Sequence, residues 1–134
     1  MILPHGAVVA VVDGAKFELF RNSGSEVDPT LSILEAPDLE SHNKSAGARR
    51  DSSMANPTGH QLDEDAHAAA VADWLNTQVQ TRQVDRLVVI APPRTLGEMR
   101  RRYHKELVAA LAGELPQDLT GRGAQAVIAA LRGK

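Results

Sequence analysis

The polarity pattern alternates short apolar runs with longer helical periodicities. Residues 7–12, AVVAVV, are an unbroken apolar run rich in β-branched side chains, the mark of a strand buried on both faces. Asp13-Gly14 follows and predicts a two-residue type I′ hairpin, both central positions of which need positive φ. Residues 16–21 return as a second, mostly alternating strand, 22–25 form a turn, and 31–36 make a third strand. The first third of the chain therefore reads as an antiparallel meander. From 37 to 58 small polar and charged residues dominate, which predicts a long loop, locally basic at Lys44, Arg49 and Arg50. A helix is expected from 56–58 to about 82. Val71, Leu75 and Val79 stand four apart with Trp74 beside them as a core-facing stripe. Asp63, Glu64 and Asp65 occupy its first turns, where the helix dipole favours acids.

Residues 84–91 predict a fourth strand, parallel by its connection, that ends in Pro92-Pro93. Thr95 and Glu98 then stand in the T-x-x-E spacing of a capping box, which places a helix start at Leu96 with Thr95 as its N-cap. That helix would carry Leu96, Met99, Tyr103, Leu107, Ala110 and Leu111 on one side, with Gly113 loosening its end. A short fifth strand is expected at 115–119, and a last helix at 124–131, stopped by Gly133. The order is β-β-β-α-β-α-β-α in one α/β domain over residues 1–134. Three antiparallel strands followed by right-handed crossovers give a mixed five-stranded sheet covered by helices, the three-layer order of the ribonuclease-H-like folds.

Composition narrows the chemistry. The chain has no cysteine, which excludes disulfides, Cys-ligated zinc, iron–sulfur clusters and thiol catalysis and fits a reducing, cytoplasmic setting. No cofactor motif or metal signature is present; His60, Asp63 and His67 have a spacing that polar helices meet by chance. The apolar stretch near the N-terminus lacks a basic leader and is interrupted by Asp13 and Lys16, so it reads as a core strand and not a signal peptide. No window approaches the ~18 apolar residues of a membrane span. A formal charge of −2 excludes a general nucleic-acid coat yet leaves room for a local basic face.

Three blocks carry a family resemblance: the opening LPHGAVVAVVDGAKFELFRN, the segment DRLVVIAPPRTLGEMRRRYHKEL, and QDLTG near the end. Through them nearly the whole chain resembles the bacterial host-attachment proteins, a group similar to the middle domain of archaeal and eukaryotic peptide-chain release factors. The resemblance implies an RNase-H-like fold and work on the ribosome. Release-factor middle domains carry a Gly-Gly-Gln tripeptide. Its counterpart here is Gly59-His60-Gln61, in which His60 replaces the second glycine and removes backbone freedom.

Several candidate sites follow, each with a plainer alternative. Gln61 is either a hydrolytic residue of release-factor type or, at capping-box spacing from Thr58, the closure of a helix start. Asp13 is either a metal-holding carboxylate or a turn residue, and the turn is favoured because the fourth strand ends without an acid. Arg94 and Thr95 sit where a buried strand feeds a helix, the place at which α/β proteins receive anions. Arg94 either binds phosphate there or pairs with a neighbouring acid; against the helix dipole it needs one or the other. Arg101 and Lys105, four apart, would share a stripe of a basic helix. The leading expectation is a non-enzymatic module binding ribosome or structured RNA through Lys44, Arg49, Arg50, Arg94, Thr95, Arg101 and Lys105. The alternatives are a hydrolase at Gln61, a phosphate-ligand enzyme at Arg94, or an adaptor in surface attachment whose 37–58 loop folds on a protein partner.

Overall fold

The computed structural model describes residues 2–37, 39 and 58–133, with the backbone alone described for 58–62. Among the described residues there are five strands and four helices. The strands are β1 (Val8–Val12), β2 (Phe17–Asn22), β3 (Leu31–Leu34), β4 (Leu87–Ile90) and β5 (Leu111–Leu115), and the helices are α1 (Thr58–Gln80), α2 (Pro93–Arg100), α3 (Lys105–Ala110) and α4 (Ala124–Arg132). The strands form one mixed sheet in the order β3-β2-β1-β4-β5. β1 pairs antiparallel with β2 and parallel with β4; β3 is antiparallel to β2 and β5 parallel to β4. This is the three-layer α/β arrangement expected from the element order.

All five residues of β1 and all four of β4 are buried. Alternation divides them between two cores. Val8, Ala10, Val12, Leu87 and Val89 pack against Ala68, Val71, Ala72 and Leu75 of α1 and Leu96, Met99 and Leu107 of α2 and α3. Val9, Val11, Val88 and Ile90 pack on the opposite face against Val127, Ile128 and Leu131 of α4. An unbroken apolar run is thus the sequence image of a strand covered from both sides. No helix among the described residues is long and apolar enough to cross a membrane.

Three local expectations are corrected. The β1–β2 connection is a four-residue loop, because Val12 pairs with Phe17. Neither Asp13 nor Gly14 has positive φ. The Asp13 carboxylate closes the loop instead, accepting from the Ala15 and Lys16 amides at 2.8 and 2.5 Å. Gly14 lies close to α1: a Cβ there would come within 2.9 Å of the Glu64 side chain, which would have to shift.

The second correction concerns the capping box. α2 begins at Pro93 with Pro92 as its N-cap and no side-chain cap bond. Proline at the first helical position has a preset φ and lacks an N–H that would be unpaired there anyway. It moves the start ahead of Thr95, which becomes a buried residue of the first turn.

The third is the helix expected to run past Leu96 to Leu111. It breaks at 101–104, without proline or glycine, because buried Asn76 of α1 takes over its hydrogen bonds. Asn76 Nδ2 donates to the Arg102 carbonyl at 2.8 Å, and the His104 amide donates to Asn76 Oδ1 at 3.0 Å. The intervening turn tightens to i→i−3 bonds, Arg102 N–H to Met99 O and Tyr103 N–H to Arg100 O. The fifth strand then starts at Leu111, ahead of the expected 115–119, and Gly113 lies within it. Replacing Asn76 with Leu removes the partner of two part-buried backbone groups and should cost about 1–2 kcal/mol. Urea unfolding followed by Trp74 fluorescence measures it; a loss below about 0.5 kcal/mol would refute the clamp.

Candidate functional site at the carboxyl edge of the sheet

β1 and β4 run parallel, so their carboxyl ends open on one edge of the sheet. α1 enters from that edge, and α2 leaves from it directly after β4. The edge therefore gathers the β1–β2 loop, the first turns of α1, the start of α2 and the β5–α4 connection, which is the region where open α/β sheets receive ligands.

Arg94 is the second residue of α2, half-exposed, at the positive end of the helix dipole. Its counter-charge comes from α1: Nη2 lies 3.3 and 3.4 Å from the two Asp65 carboxylate oxygens. About two turns further along α1, Asp73 Oδ2 meets Nη2 of Arg102, in the turn just after α2, at 2.7 Å. Both pairs are 29 residues apart in sequence. Equal offsets mean that α1 and α2 run parallel in a fixed register, with fully buried Ala68 and Ala72 of α1 in the core beneath them.

The remaining arginines follow from 100° of rotation per residue. Arg100 turns to β5, where Nη2 and Nε bond Glu114 Oε1 at 2.9 and 3.1 Å, and the Tyr103 hydroxyl donates to Glu114 Oε2 at 3.3 Å. Burial pushes the Tyr103 phenol above its ordinary pKa, and Glu114 adds to the rise. Arg101 points to solvent, 77% exposed, with Glu98 at 3.8 Å. Because the helix breaks after Arg101, the stripe expected for Arg101 and Lys105 is not continuous: Arg101 caps α2 and Lys105 opens α3, exposed. By ideal helix geometry Arg94 and Arg101, seven residues apart, are separated by nearly two full turns, about 10 Å along the axis.

Asp13 is a turn residue with a further duty. Its Oδ2 accepts from Thr120 Oγ1 at 2.7 Å, and Thr120 Oγ1 also reaches Asp118 Oδ1 at 3.0 Å. The Gly121 amide donates to Glu18 Oε1 at 3.0 Å, and Gly121 has a φ of 77° that a side chain would oppose. The QDLTG segment thus ties the β5–α4 connection to the first hairpin. Partial burial raises the Asp13 pKa, but bonds from Thr120, Ala15 and Lys16, with His67 nearby, outweigh it and hold the carboxyl below its ordinary value.

His67 is buried and aims Nε2 at the Lys16 carbonyl, 3.1 Å away. Among the described residues no three His, Asp or Glu side chains are gathered as metal ligands. Gly59, His60 and Gln61 belong to the first turn of α1, and their side chains lie outside the described residues, as do Lys44, Arg49 and Arg50 and nearly all of the 37–58 segment. Of the expected anion-binding residues the structure leaves Arg94 and Arg101 exposed at the two ends of α2, places Lys105 past the helix break and buries Thr95. Sequence reasoning missed Asp65, Glu114 and Thr120 as partners. Only the acids in the first turns of α1 gave a signal.

The fold and this edge define an RNase-H-like α/β domain whose carboxyl-edge helix start carries an ion-paired arginine. The family model for bacterial archaeo-eukaryotic release factor family 12 matches residues 6–131, and the chain belongs to that family. The match carries the release-factor relation and says nothing of attachment to host cells. No curated protein matches the chain.

The Thr120–Asp13 bond gives a pH-dependent expectation. A carboxyl with a depressed folded pKa contributes stability above its unfolded value, near 3.8, and loses it as pH falls through the folded value. Thr120→Val should therefore cost about 1 kcal/mol at neutral pH, with the gap to wild type narrowing below that value. Urea titrations across the acid range measure the gap; one that stays constant with pH would contradict the assignment.

Proposed function

We propose that this domain acts in translation as a non-catalytic module that docks on the ribosome or on structured RNA. The observation that carries the reading is the release-factor family match, which spans the whole described fold. The surface of α2 supports it. Arg94 and Arg101 are half and three-quarters exposed, and Lys105 follows past the helix break. The carboxylate partners of Arg94 and Arg101 stand at 3.3–3.8 Å and are about a quarter exposed. Exposed pairs of this kind are worth only about 0–1 kcal/mol, so backbone phosphates can replace them. Arg100 and Arg102 are as exposed as Arg94 but are held by shorter bonds, to Glu114 and Asp73 at 2.9 and 2.7 Å. Lys44, Arg49 and Arg50 would extend the contact from the preceding segment. The reading places the protein in the cytoplasm. The attachment phenotype implied by the resemblance adds no chemistry to it.

Tyr103 is half-buried and bonded to Glu114, and Trp74 packs edge-on to Phe17 with ring centroids 5.6 Å apart. Neither offers an open stacking platform, so recognition would run through phosphates and shape, not through splayed bases. Sedimentation with purified bacterial ribosomes tests this. Co-migration is expected at low salt, with log affinity falling against log salt at a slope of about −2 to −3 for three phosphate contacts. The R94Q/R101Q/K105Q variant should lose most of that slope. Absence of co-migration at low salt would remove the proposal.

A further inference from the structure

We infer that Asp65 is a built-in competitor for the anion that Arg94 takes, so that the carboxyl-edge site is held shut by its own carboxylate. The inference rests on the binding reading above and names how that site is regulated. The two ion pairs joining α1 to α2 differ in kind. Arg102 and Asp73 meet at 2.7 Å, the length of a full charge-assisted hydrogen bond. At the ligand edge a single Arg94 nitrogen is shared between two Asp65 oxygens at 3.3 and 3.4 Å, longer than such bonds normally run. The fork-on-fork arrangement that makes arginine selective for phosphate is not used.

Arg94 therefore keeps donors to offer and is 54% exposed, while Asp65 is 27% exposed and anchored on a long helix. An incoming phosphate meets a guanidinium already oriented toward the edge. It must also displace or approach a fixed negative charge. Asp65 thus preorients Arg94, offsets the unfavourable dipole at the start of α2, and sets a threshold against weakly charged ligands.

A mutant cycle measured by ribosome sedimentation at one low salt concentration tests this. Asp65→Asn should tighten binding about two- to fivefold, the range of one exposed ion pair. Asp73→Asn removes the same charge about two turns further along α1 and should give less than half that gain. In an Arg94→Gln background the gain from Asp65→Asn should vanish. Asp65→Ser repeats the measurement with a smaller side chain, and Trp74 fluorescence checks that each variant is folded. The latch is overturned if Asp65→Asn leaves affinity unchanged or lower while Arg94→Gln weakens binding. It is equally overturned if Asp73→Asn matches the gain or if the gain persists without Arg94. Should Arg94→Gln bind as tightly as wild type, the assignment of Arg94 as a contact fails, and the latch with it.

Discussion

Two-sided burial of β1 and β4 is the constraint from which the other features follow. Their nine residues have no face to give to water, so helices must cover the sheet on both sides. Parallel pairing of β1 with β4 then sends α1 and α2 in the same direction across one face. Both helix starts arrive at the carboxyl edge, along with the Asp13 loop and the QDLTG connection. The position of Arg94 is thus a consequence of core packing, and its chemistry is a consequence of its position.

Charge on this surface is sorted by geometry. Four arginines within nine residues of an overall acidic chain suggest a basic helix. Rotation about the helix axis separates them. Arg100 reaches β5 through Glu114 and Arg102 reaches α1 through Asp73 by short bonds, whereas Arg94 and Arg101 have longer contacts, to Asp65 of α1 and to Glu98. The net charge says little about this division, because association depends on the local field. An arginine at a helix start needs a nearby anion, and Asp65 supplies it.

Much of the architecture was legible in the sequence because periodicity and burial coincide. The AVVAVV and LVVI runs, the Val71–Leu75–Val79 spacing and the AQAVIAALR helix all fall where the pattern placed them. The failures have physical causes. Thr95 and Glu98 look like a capping box, but the preset φ of Pro93 starts the helix earlier. The break after Arg101 is imposed by Asn76, 26 residues before Arg102, and no local signal announces it. β5, with Gly113 at its centre and a single buried residue, has little strand character of its own. For the site, the strand-to-helix turn pointed to Arg94. Its partner Asp65 depends on helix register, and the Thr120–Asp13 bond joins residues 107 apart, so neither could be read from spacing.

In the proposed function, α2 is the surface that would meet ribosomal RNA. Side-chain NMR of arginine Nε–Hε groups during titration with a ribosomal RNA fragment addresses it most directly. The resonances of Arg94 and Arg101 should shift together and saturate with the RNA, while those of Arg100 and Arg102, bound to Glu114 and Asp73, stay in place. A shift confined to Arg132 of α4, on the opposite face of the sheet, would contradict that contact.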